Sequence, residues 1–96
     1  MDSSWEKLER PLLETLVAME DAGRIPINSD DVAAATQLPP ELVSLAIGRL
    51  IRAGYLRGTE YRQGNQPPGV RPDYLEINVL ERGLRASGAW PPADTP

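Results

Sequence analysis

The chain has no cysteine, no histidine and no phenylalanine, and its single lysine leaves arginine to supply nine of the ten basic side chains. Without cysteine there is no disulfide, no thiolate nucleophile and no thiolate metal site. Without histidine there is no imidazole base and none of the usual zinc ligand sets. The five serines therefore have no histidine to activate them. The carboxylates show no metal-loop spacing, and no glycine-rich phosphate loop is present, so no catalytic activity and no cofactor are expected. No apolar run approaches the ~20 residues of a membrane span. Met1 to Glu6 lacks a basic stretch followed by an apolar one, so neither a secretory signal nor a membrane partner is expected, and the default location is cytoplasmic.

Ninety-six residues suffice for one small domain, expected over 1–90 with a loose tail over 91–96. With no phenylalanine, the core must be aliphatic: twelve Leu, five Val and five Ile, helped by two Trp and three Tyr. The net charge is −4 but is unevenly spread. Residues 1–48 carry nine acids and three bases, whereas 49–72 carry Arg49, Arg52, Arg57, Arg62 and Arg71 against Glu60 alone. A local basic stretch matters more to a polyanion than the sum over the chain.

Ser3 and Glu6 have capping-box spacing at the start of a first helix. Apolar residues at Trp5, Leu8, Leu12, Leu16 and Met19 repeat with helical period, and Gly23 closes the element. Pro11 offers no N–H to the carbonyl of Lys7, which predicts a kink or restart. Ile25-Pro26-Ile27 reads as short and extended, an edge strand at most. Asn28 or Ser29 caps a second helix with Asp30 and Asp31 in its first turn. Pro40 opens a third. On its wheel Val43, Ala46, Ile47 and Leu50 form the core face, expected to pack with Leu12, Leu16, Val32 and Ile77. Glu41, Ser44, Leu45, Gly48 and Arg52 fall opposite, flanked by Leu42 and Arg49. Tyr55 to Arg62 and Tyr74 to Val79 read as strands, the second with Leu75, Ile77 and Val79 inward. The Gln63–Pro72 stretch, with three prolines and two glycines, reads as a long, mobile hairpin loop. Glu81 to Ser87 is a short last helix.

This order resembles the winged helix-turn-helix family: mainly α with a small β-hairpin, a three-helix core, a wing and a short C-terminal helix. Asp30 to Val43 looks like the family's second helix, turn and third helix. Leu50-Ile51-Arg52-Ala53-Gly54-Tyr55-Leu56 is similar to the passage from recognition helix to first wing strand. Glu81-Arg82-Gly83-Leu84-Arg85 resembles the helix start after the wing in MarR-type and related bacterial transcription regulators. Gln37 stands where relatives often have a left-handed glycine, and Leu80 where they have a capping threonine.

The resemblance implies a symmetric homodimer that binds double-stranded DNA and regulates transcription, with the third helix in the major groove. The expected DNA contacts are Arg49, Arg52, Arg62 and Arg71 to phosphates and Ser44 to base edges. The alternative is a protein-interaction module without DNA binding, with Leu42 and Leu45 as its contact patch.

Overall fold

The computed structural model describes residues 5–62 and 71–88. The Ser3 cap, the loop positions 63–70 and the C-terminal tail lie outside these residues.

The chain forms four α-helices and one two-stranded antiparallel sheet: α1 (Arg10–Asp21), α2 (Ser29–Thr36), α3 (Pro40–Arg52), β1 (Leu56–Tyr61), β2 (Asp73–Val79) and α4 (Glu81–Ser87). A π-helical stretch, Trp5–Glu9, leads into α1. The break falls where Pro11 enters: its ring would crowd the Lys7 carbonyl of a regular α-helix, and a wider turn relieves that clash. The expected restart is therefore present. From there Leu12, Leu13, Leu16 and Met19 are buried along one side of α1.

Asn28 is the N-cap of α2, and the Asp31 carboxylate accepts its backbone N–H at 2.9 Å. With the Asp31 N–H directed at the Asn28 side chain this makes a capping box, and it also places an acid at the positive end of the helix. α2 ends on Gln37, which adopts the left-handed conformation at φ 60°. A side chain there is strained where glycine is not. Gln37→Gly is expected to stabilise the fold by roughly 0.5–1 kcal/mol, read as a higher urea midpoint at constant slope. A lower midpoint would show that the Gln37 side chain contributes more than its backbone costs.

All eight expected core residues are buried, none more than 2% exposed. Leu13, Ile27 and Leu56 join them. Trp5 packs at the margin with its ring 5.7 Å from that of Tyr55.

The hairpin departs from its expected phase. Leu56 pairs with Val79 and Arg57 with Asn78, but the register then shifts, so that Thr59 faces Leu75 and Glu60 faces Tyr74. Gly58 thus stands opposite two residues, Glu76 and Ile77, with Glu76 at φ 54°. A bulge inverts the side-chain alternation beyond it. Tyr74 consequently points into the core, and Leu75 is only half-buried.

The outer edge of β2 is closed without a third strand. The N–H groups of Tyr74, Glu76, Ile77 and Val79 donate to Ser29 Oγ, Asn28 Oδ1, the Ile27 carbonyl and Glu20 Oε2 at 3.0, 3.1, 2.8 and 2.7 Å. The Ile25–Ile27 segment supplies one of these acceptors. Capping these donors removes an edge that would otherwise pair with other chains. α4 begins at Leu80, extended and without a side-chain cap, as its sequence implies.

Candidate nucleic-acid interface

α3 carries Pro at its first position and its two basic residues, Arg49 and Arg52, in its last turn, where the helix dipole favours cations. Its buried arc is wider than the four-residue core face. Ser44 and Gly48 are buried as well. Ser44 is 6% exposed and its hydroxyl donates to the Pro72 carbonyl at 2.6 Å. The expectation that Ser44 reads base edges is therefore corrected: the hydroxyl fastens the hairpin to α3. The wheel of an isolated helix does not show which arc a later strand covers.

What remains exposed on α3 is Pro40, Glu41, Arg49 and Arg52, with Leu42 and Leu45 half-buried between them. Arg49 is tied to the N-terminal side, its Nη1 3.0 Å from Glu9 Oε2. That pair clasps the π-helical stretch to α3. Arg62 pairs with Glu60 at 3.2 Å, with both side chains about half exposed. An ion pair so open to water is weak and is readily exchanged for another anion.

Arg52, Arg57 and Arg71 are exposed, and among the described residues none of them makes an ion pair. Arg57 stands across from Asn78, at the α3-proximal end of the hairpin. Arg52 and Arg71 border the line where α3 meets β2. A methyl added at Gly48 would lie 3.6 Å from Arg52 Nη1 and 2.9 Å from Tyr74 Oη, and Arg71 precedes the residue that Ser44 holds. Arg62 follows Tyr61, the partner of Asp73, and so flanks the same end of the hairpin. Arg52 thus lies where α3 meets Tyr74, Arg62 and Arg71 adjoin the paired ends of β1 and β2 near Pro72, and Arg49 is held by Glu9.

Most acids of the N-terminal half are engaged elsewhere. Glu6 and Glu14 reach Arg10 at 4.0 and 3.3 Å, Glu9 holds Arg49, Glu20 caps Val79 and Asp31 caps α2. Sequence reasoning missed Tyr74, which alternation placed outward. Gly48 was a usable signal: glycine inside a helix costs about 1 kcal/mol relative to alanine, and such a residue often marks a close approach.

Among the described residues no group of acids is placed to hold a metal ion, and no helix is long and apolar enough to cross a membrane. A cavity of about 360 Å³ lies at the far edge of the hairpin, lined by Ile25, Pro26, Glu76, Ile77 and Asn78. Comparison with protein-family models, with curated proteins and with solved structures finds no match.

Proposed function

We propose that the chain is a winged helix-turn-helix domain that binds double-stranded DNA, with α3 as the groove helix and the β1–β2 hairpin as the wing, acting in transcription regulation. The observation that carries this reading is the set of arginines at the α3–hairpin junction. Arg52 and Arg71 have no carboxylate partner among the described residues, while of the acids in the N-terminal half Glu6 and Glu9 lie against arginines and Glu20 and Asp31 accept backbone N–H groups. Binding of this kind is mostly to phosphates. With Ser44 buried and Leu45 at mid-helix, α3 has little to offer base edges, so sequence discrimination is expected to be small.

The test is a fluorescence-anisotropy titration with random-sequence duplex DNA at two salt concentrations. Binding should weaken steeply as salt rises, and Arg71→Ala should lower the slope of log K against log salt by about 0.9, the share of one phosphate. An unchanged slope would remove Arg71 from the interface.

A second reading is a protein-interaction module without DNA binding. It is favoured by Leu42 and Leu45, half-buried on the one arc of α3 that remains open. It predicts no duplex binding at low salt, and a loss of self-association or partner capture in Leu45→Glu, because a charge placed in an apolar contact is costly.

A further inference from the structure

The two edges of the hairpin differ. The outer edge of β2 is closed by acceptors from α1, α2 and the Ile25–Ile27 segment, whereas the outer edge of β1 is open. The Tyr74 N–H turns away from β1 to Ser29 Oγ. Residues directly opposite in an antiparallel ladder share their hydrogen-bonding sense, so Glu60, the partner of Tyr74, turns its own N–H and C=O outward. Gly58, two residues earlier on the same strand, does likewise. Among the described residues these backbone groups of Gly58 and Glu60 have no partner. β1 has no proline, no residue of positive φ and no bulge of its own, since the extra residue at the register shift belongs to β2. Those are devices that keep an edge from pairing. The charges on β1, Arg57 and Glu60, are of opposite sign.

We propose that two copies of the chain associate by antiparallel pairing of β1 with β1, about a two-fold axis at Thr59, to make one continuous four-stranded sheet. This inference goes beyond the DNA reading and does not rest on it. The register follows from the residues. Centred on Thr59, Gly58 stands opposite the partner's Glu60 on both sides of the axis, and each such pair exchanges both of its free N–H and C=O groups. Between them fall the pairs whose side chains approach most closely: Thr59 with the partner's Thr59, and Arg57 with the partner's Tyr61. These three residues alternate along one face of β1 and are all exposed. Tyr61, at 46%, is a large apolar side chain in water, and an arginine across the strand would cover its ring. Neighbouring registers fit worse. A centre at Glu60 opposes two like charges, and a centre at Gly58 drops Tyr61 from the pairing, because β1 starts at Leu56. The interface is short, so the dimer is expected to be weak, with a Kd on the order of 100 µM.

The absence of cysteine makes the register directly testable. In a pair that is not hydrogen-bonded the Cα atoms lie about 4.5 Å apart, within disulfide reach. Thr59→Cys should therefore oxidise to a linked dimer at least about tenfold faster than Asp21→Cys, an exposed control on α1. Equal rates would overturn the proposal. Sedimentation velocity without DNA, up to about 1 mM protein, gives the second test. The wild type should shift from monomer towards dimer as concentration rises. Thr59→Lys, which sets two like charges against each other on the axis, should stay monomeric with an unchanged urea midpoint, since the residue is exposed. Leu45→Glu should still dimerise. A wild type that remains monomeric at every concentration overturns the pairing. So does a dimer that survives Thr59→Lys and is lost in Leu45→Glu, which assigns self-association to α3 instead. Because no duplex is present, either failure leaves the DNA reading standing, and a failure to bind duplex leaves this one standing.

Discussion

Gly83→Ala is expected to destabilise the protein by about 3 kcal/mol, at the upper end of the overpacking range. On helix propensity alone the same change should stabilise α4 by about 1 kcal/mol, so the sign of the effect is diagnostic. The reason lies in the packing of α4 beneath the hairpin. A methyl on Gly83 would stand 2.3 Å from the Tyr55 carbonyl oxygen and 3.0 Å from Val79 Cγ1. The closer obstacle is backbone. That carbonyl also accepts the Leu80 N–H at 2.9 Å, which sets the start of α4. It cannot turn aside without releasing the helix it anchors. Chemical denaturation measures the effect, and an increase in stability would mean that α4 is not packed against the Tyr55 carbonyl and Val79.

The second large effect is expected at Leu50. It is 2% exposed, at the centre of a cluster that includes Leu12, Leu16, Ile47 and Ile77. Leu50→Ala should cost about 2–5 kcal/mol through lost transfer energy and the cavity left behind. A domain of this size has a total stability on the order of 5–15 kcal/mol. The variant should therefore lose a large share of its urea midpoint. A loss under about 1 kcal/mol would show that the core collapses around the missing side chain or is centred elsewhere.

Local rules carried much of the architecture. Periodicity was enough to find the eight residues that meet in the core: seven lie on helix faces, and Ile77 was placed by the two-residue alternation of its strand. That Asn28 or Ser29 caps α2, with Asp30 and Asp31 in its first turn, was also legible, since it depends on a few consecutive residues; the left-handed Gln37 and the bare start at Leu80 stood out only through the family resemblance. The site was less legible. Ser44 and Gly48 are hidden by Pro72 and Tyr74, more than twenty residues further along, and no property of α3 alone reveals this. Tyr74 faces inward because a bulge opposite Gly58 reverses the phase of β2. The run of arginines from 49 to 71 was visible as a count. Which of them are engaged is tertiary information, as the Arg49–Glu9 pair across forty residues illustrates.

The electrostatic objection to DNA binding is also altered by the fold. Net charge on residues 1–48 counts every acid as a repulsive point. In the folded chain Glu9, Glu20 and Asp31 hold a guanidinium or backbone N–H groups. Glu41 is the acid that remains exposed on α3 itself. Of the first three only Glu9 is offset by a cation, whereas Glu20 and Asp31 keep their charge, and at the N-terminus of α3 the helix dipole offsets part of the charge of Glu41.

The central claim is that the α3–hairpin junction is a surface for duplex DNA. Amide chemical-shift mapping of ¹⁵N-labelled protein with a short random-sequence duplex at low salt tests it most directly. The shifts should concentrate on Gly48, Arg52, Arg71 and Tyr74, should leave Ile25 and Asn78 at the opposite edge of the hairpin unchanged, and should fade as salt is added. Shifts confined to residues away from α3 and the start of β2, or no shifts at any duplex concentration, would contradict it.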